Sequence, residues 1–200
     1  MTRSRRGRHL IRYLIAPIVW LAAATGVITS SADQSSVATY LHHAFDPNDG
    51  FKDRFDAEVW LVDMDARLSS FMTNPSERLA LLTQVHRQAT QHNLAPELVL
   101  AVIEVESHFD RYAISSAGAL GFMQVMPFWK TEMGRENDNL IDTVTNLQYG
   151  CQILRFYLDR ESQNLSKALA AYNGSAGSDR YPNSVQAAWR QHWRLGSIDW

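Results

Sequence analysis

A mainly α-helical fold is predicted for this chain by three observations. Apolar residues recur at helical spacing in successive segments. Helix-start signals stand at Asn74-Pro75-Ser76-Glu77 and at Pro96-Glu97, and no run alternates apolar and polar side chains as a half-buried strand would. With 200 residues, 46% of them apolar, there is material for one main globular domain plus appendages.

The first segment stands apart from that domain. Arg3, Arg5, Arg6, Arg8 and Arg12 crowd the N-terminus, and an uncharged run follows from Tyr13 to Ala32 with its apolar centre at Leu14–Val27. Basic, then apolar, then small and polar is the layout of a secretory signal, and Ser30-Ser31-Ala32 offers a cleavage site. Retention of the same run as an inner-membrane anchor is the alternative, although its apolar part is short for a bilayer. Either reading puts the remaining chain outside the cytoplasm, in the periplasm.

Residues 33–50 hold Ser, Asp, Asn, Pro and Gly in the manner of a linker. His42-His43 lacks a third ligand at a metal-binding spacing, so neither metal nor cofactor is expected. Phe55, Val59, Trp60, Val62, Met64, Leu68 and Phe71 give residues 53–72 a spacing nearer helix than strand. The expected organisation is therefore a signal or anchor over 1–32, a linker and helical extension over 33–75, and a main domain over 76–200.

Within that domain, Leu79, Leu82, Val85 and Ala89 mark a helix ending near His92. The next starts at Pro96 and is apolar nearly all round (Leu98, Leu100, Val102, Ile103, Val105), which places it in the interior. Residues 143–160 and Leu165–Tyr172 return to helical spacing, and Val185, Ala188 and Trp189 continue it in the tail. Long loops are expected over 110–127 and 173–184. The single cysteine, Cys151, forms no intrachain disulfide and sits in an apolar helical setting that favours a buried thiol. A net charge of −2 argues against a nucleic-acid partner.

The chemistry points to the end of the apolar helix, where Glu104 and Glu106 stand. Two positions apart on a helix they project about 200° from one another and cannot act on one bond. Glu106, nearer the loop, is the candidate general acid, because apolar walls raise a carboxyl's pKa. A surface carboxylate at the helix end is the alternative. The loop Ser115-Ser116-Ala117-Gly118-Ala119-Leu120-Gly121 suits a tight turn and close approach of the backbone to a ligand, and Gln124 offers the neutral donors and acceptors that sugars need, with a helix-surface glutamine as the alternative.

Glu106-Ser107, Ser115-x-x-Gly118-Ala119-x-Gly121-x-Met123-Gln124-x-Met126-Pro127, Asn146-x-x-x-Gly150 and Ala170-Ala171-Tyr172-Asn173 follow one another in the chain. In these blocks, over roughly residues 78–190, the chain resembles the family 1 lytic transglycosylases, the soluble lytic murein transglycosylase or goose-lysozyme-like group.

The resemblance implies a lysozyme-like helical domain that cleaves the MurNAc–GlcNAc β-1,4 bond of peptidoglycan glycan strands without water. It makes Glu106 the single acid and base, and leaves a 1,6-anhydroMurNAc product. Ser115 and Gln124 match residues that hold sugar and N-acetyl groups. Tyr172 matches a tyrosine near the catalytic acid, Asn173 supports that loop, and Met126 matches a cleft-wall residue. Three departures stand out: Phe122 replaces the usual Leu, Gly174-Ser175 replaces the frequent Ala-Gly, and Phe128-Trp129 adds aromatic surface that either stacks on sugars or packs. Glu104 has no counterpart and is read as structural. Two other readings are a water-using muramidase, with Asp110 or Asp138 as second carboxylate, and a non-catalytic glycan-binding component of an envelope complex.

Overall fold

The computed structural model describes residues 54–195, which form seven α-helices and a terminal π-helical turn. The expected signal, the linker and His42-His43 lie outside the described residues. The helices are α1 (Arg54–Leu68), α2 (Pro75–Gln91), α3 (Pro96–Ser107), α4 (Trp129–Met133), α5 (Thr143–Arg160), α6 (Leu165–Tyr172) and α7 (Arg180–Ala188), followed by the π turn Trp189–Trp193. Among these residues the only β-type pairings are two isolated bridges, Ile114 with Leu120 and Leu120 with Val125.

The helix starts obey local chemistry. Asn74 Oδ1 accepts from the backbone N–H of Ser76 and Glu77 at 3.0 and 3.3 Å, with Pro75 in the first turn. Asp142 caps α5 through Thr145 N at 2.9 Å, and Asn164 caps α6 through Lys167 N at 3.0 Å. The extension helix stops at Leu68, short of the expected 72, because the Ser69 and Ser70 hydroxyls turn back onto the carbonyls of Ala66 and Arg67. The second expected loop is likewise shorter. It ends at Asp179, since Pro182 falls in the first turn of α7, where its missing N–H costs nothing.

α3 is the axis of the domain. Leu98 through Ile103 are all buried, as an all-round apolar helix requires. α2, α7 and the π turn pack on α3, α5 packs on α2 and α6, and α6 packs on α7. α1 adds to the same core: Trp60, Leu61, Met64 and Leu68 are buried with it. A buried ion pair joins α1 to α2, with Arg78 Nε and Nη2 on Asp65 Oδ1 and Oδ2 at 2.7 and 3.0 Å.

α3 ends abruptly. His108 and Phe109 both take left-handed backbone angles, φ 54° and 64°, which throws the chain out of the helix two residues beyond Glu106. Phe109 then anchors the exit by packing on Phe71 and Trp193, with ring centroids 5.0 and 5.4 Å apart.

Candidate active site

Glu106, in the last turn of α3, faces a cleft of about 220 Å³. Ser115, Gln124, Met126, Tyr172 and Asn173 line the same cleft, so all six residues singled out in the sequence surround one space. Ala117, Ala119, Val125, Trp129 and Ile153 complete the lining, and Glu106 is its only carboxylate.

Loss of hydration in these surroundings pushes the Glu106 carboxyl up to about 7, and a hydrogen bond from Tyr181 offsets part of the rise. The Tyr181 hydroxyl donates to Glu106 Oε1 at 2.6 Å. Both Tyr181 and Tyr172 have pKa values well above the usual phenol value, chiefly from burial and then from the charge of Glu106. They therefore remain neutral hydroxyl donors. Tyr172 lines the cleft, yet its own hydroxyl donates to the Met123 carbonyl at 2.7 Å, clamping the end of α6 to the loop.

The loop is held from behind by Asn146. This buried side chain accepts from Met123 N and donates to the carbonyls of Leu120 and Leu140, each at 2.8 Å. Gly121 makes that bridge possible. At φ +73° a Cβ there would sit 2.5 Å from Asn146 Nδ2 and 2.9 Å from the Leu140 carbonyl. The sequence leads one to expect that approach toward a ligand; at Gly121 it is instead to the asparagine behind the loop, while Gly118 serves the turn through its φ of +85°.

Gln124 also has a left-handed backbone, φ 48°, a conformation that non-glycine residues seldom adopt. Its Nε2 donates to the carbonyls of Ala113 and Gly121 at 3.1 and 3.0 Å, so its amide oxygen is left for the cleft. Ser115 Oγ accepts from Ala119 N at 3.0 Å, which leaves the hydroxyl proton to donate elsewhere.

Glu104 turns the other way. Its carboxylate meets His192 Nδ1 at 2.9 and 3.0 Å and accepts from Trp193 Nε1 at 2.7 Å, tying α3 to the π turn. The alternative second acids are also engaged away from the cleft. Asp138 accepts from the Tyr149 hydroxyl at 2.6 Å, and hydrogen bonds hold its pKa below the usual value. Asp110 caps Tyr112 N at 2.8 Å in an exposed turn.

Residues 84–192 match the sequence family described as "Transglycosylase SLT domain". The chain belongs to this family. Over 104 residues the SLT domain is 35% identical to the "Transglycosylase" of Enterobacteria phage PRD1, covering 48% of this chain and 38% of that protein. It is 33% identical over 113 residues to the "Membrane-bound lytic murein transglycosylase C" of Haemophilus ducreyi, covering 48% of this chain and 31% of that one. The namesake in Actinobacillus pleuropneumoniae serotype 5b is 37% identical over 84 residues, 42% of this chain and 20% of that protein. The chain thus spans less than two fifths of the length of these relatives.

Two residues that support the SLT domain's cleft were not assigned roles from the sequence. Asn146 belongs to the Asn146-x-x-x-Gly150 block, but only the fold shows it bridging three backbone groups of two loops. Tyr181 lay in a stretch read as loop. The Tyr181-Pro182 pair was the available signal, since a proline accepted in a first turn marks a helix start and puts its neighbour on an ordered element.

Proposed function

We propose that this SLT domain is a peptidoglycan lytic transglycosylase that cleaves the MurNAc–GlcNAc β-1,4 bond. The observation carrying this reading is that Glu106, raised to about 7, is the one carboxylate lining the cleft. The names of the relatives, "Transglycosylase" and "lytic murein transglycosylase", support the substrate class.

A single group poised near neutrality can give a proton and then take one. Protonated Glu106 donates to the glycosidic oxygen as the C1–O bond breaks, and the leaving sugar keeps that proton. The resulting carboxylate removes the proton of the MurNAc 6-hydroxyl as its oxygen bonds to C1, closing the 1,6-anhydro ring. Glu106 ends protonated and no water is consumed. The nucleophile belongs to the reacting ring, so the second step is intramolecular and needs no second carboxylate to activate water.

The remaining lining residues have groups suited to a sugar. Tyr181 holds Oε1 of Glu106, which leaves Oε2 for the substrate. The Gln124 amide oxygen and the Ser115 hydroxyl proton are an acceptor and a donor for N-acetyl and ring hydroxyl groups. Met126, Tyr172 and Asn173 shape the walls. Residues 76–200 carry the chemistry, residues 1–32 direct the chain to the periplasm or anchor it at the inner membrane, and 33–75 are a linker followed by the extension helix α1, which packs on the core. "Membrane-bound" in the relatives' names agrees with an envelope location. Among the described residues no helix is long and apolar enough to cross a membrane.

The deciding experiment is end-group analysis of sacculi digested by the purified chain. New 1,6-anhydroMurNAc termini are expected. Reducing MurNAc ends in their place would replace the transglycosylase with a water-using muramidase, and intact sacculi would leave a glycan-binding module.

A further inference from the structure

Four aromatic rings lead outward from the cleft. Trp129 lines the cleft together with Ile153. Phe128 packs on Trp129 with centroids 4.9 Å apart and planes 31° apart. Phe156 and Tyr157 each approach Trp129 at 6.3 Å and each other at 5.2 Å. Ile153, Phe156 and Tyr157 fall at i, i+3 and i+4 on α5, so one face of that helix runs from the cleft onto the platform. Phe128 is 54% exposed and Phe156 50%. Large rings that are clustered yet half in water form a contiguous apolar patch of the kind that marks interaction sites and ligand-binding grooves.

Size makes the case for what lies there. A cleft of about 220 Å³ is smaller than the usual range of roughly 300–1,000 Å³ for a site burying one drug-sized ligand. A glycan strand entering it must leave across the surface, and Trp129 makes the platform continuous with the cleft. A pyranose ring offers a C–H face that lies against an aromatic ring while its hydroxyls stay in water, the amphipathic match that half-exposed aromatics provide.

We propose that Phe128 and Phe156 form an outer glycan-binding platform, on which sugars of the strand beyond those in the cleft are stacked. The proposal builds on the glycan-cleaving reading above, but concerns binding and is tested by binding.

The Glu106→Gln chain, which leaves strands intact, is titrated with long peptide-free glycan strands and with a disaccharide prepared from them. Adding Phe128→Ala and Phe156→Ala together is expected to weaken long-strand binding about tenfold. Disaccharide binding should stay within about twofold, as for surface changes away from a contact, and this also reports an intact fold. Phe156→Leu keeps apolar bulk without a ring face and is expected to lose part of the long-strand affinity. Unchanged long-strand binding in the alanine pair, as a protein-docking patch would give, overturns the proposal. Full retention by the leucine variant together with the alanine loss overturns stacking as its basis. The appearance of anhydro termini, measured separately on the unaltered chain, decides the activity and does not enter this comparison.

Discussion

Tyr181 and Glu106, 75 residues apart in sequence, share a 2.6 Å hydrogen bond in which the phenol donates to Oε1. The bond forms where α7 crosses the end of α3, so the state of the candidate acid depends on how two helices pack. Burial raises the carboxyl and this phenol restrains the rise.

Tyr181→Phe removes the restraint. The ionised form of Glu106 loses a donor, so its pKa should climb above about 7. In the proposed mechanism the reaction begins with the protonated acid, so the rate should fall as pH rises through this pKa, and the variant's alkaline limb should lie at higher pH. A carboxyl no longer held in place should also cost about tenfold in kcat with KM little changed. A pH–rate profile on peptidoglycan checks both. An alkaline limb that stays put or moves to lower pH would remove Tyr181 from the account.

Glu106 also bears on stability. Its folded pKa of about 7 stands above the ordinary 4.5, so the folded state binds the proton more tightly than the unfolded one. The sign follows: the contribution of Glu106 to stability is fully present below pH 4.5 and is lost as pH rises through about 7, by a total on the order of 3 kcal/mol. Glu106→Gln cannot ionise and should escape that loss. Its advantage in denaturant midpoint over the unaltered chain should grow across this window and level off above it, while lysis is abolished. A pH-independent difference would show a carboxyl that is better hydrated than its surroundings imply.

Local signals carried much of this architecture. Proline and cap residues marked the starts of α2 and α3, and apolar spacing marked α5 and α6, because these features act within a few residues. Glu106, Ser115, Gln124, Met126, Tyr172 and Asn173 were legible as blocks around the cleft. What escaped depends on residues distant in sequence. Tyr181 reaches Glu106 only through the crossing of α3 and α7, and Asn146 finds its partners in two loops. The free amide oxygen of Gln124 was likewise hidden, since only the folded loop shows Nε2 turned inward onto two carbonyls.

Asn146 provides a test of the loop's support. It is 1% exposed, and Asn146→Ala leaves Met123 N–H and the Leu120 and Leu140 carbonyls without their partner. The expected loss is about 3 kcal/mol or more, since each buried orphan carries a desolvation penalty. Asn146→Asp should be worse, because it sets an oxygen against two carbonyl oxygens. Urea unfolding gives the stabilities, and a loss under about 1 kcal/mol in both would mean that water replaces the side chain.

The last prediction concerns where the domain begins. Asp65 and Arg78 are 5% and 3% exposed, and Arg78 Nη1 also donates to the carbonyls of Met72 and Thr73 at 3.0 and 3.2 Å. The pair and these carbonyls lock α1 and its following turn to α2, ahead of the residues that match the family. Asp65→Ala leaves the guanidinium buried without its carboxylate, and should cost about 3–5 kcal/mol. Replacing both partners, as in Asp65→Leu with Arg78→Met, removes the stranded charge and should recover most of that loss. If α1 were instead a separable extension, Asp65→Ala would leave the main thermal transition unmoved. A shift of the single transition in Asp65→Ala, reversed in the double variant, would make α1 part of the cooperative unit that holds α3 and its Glu106.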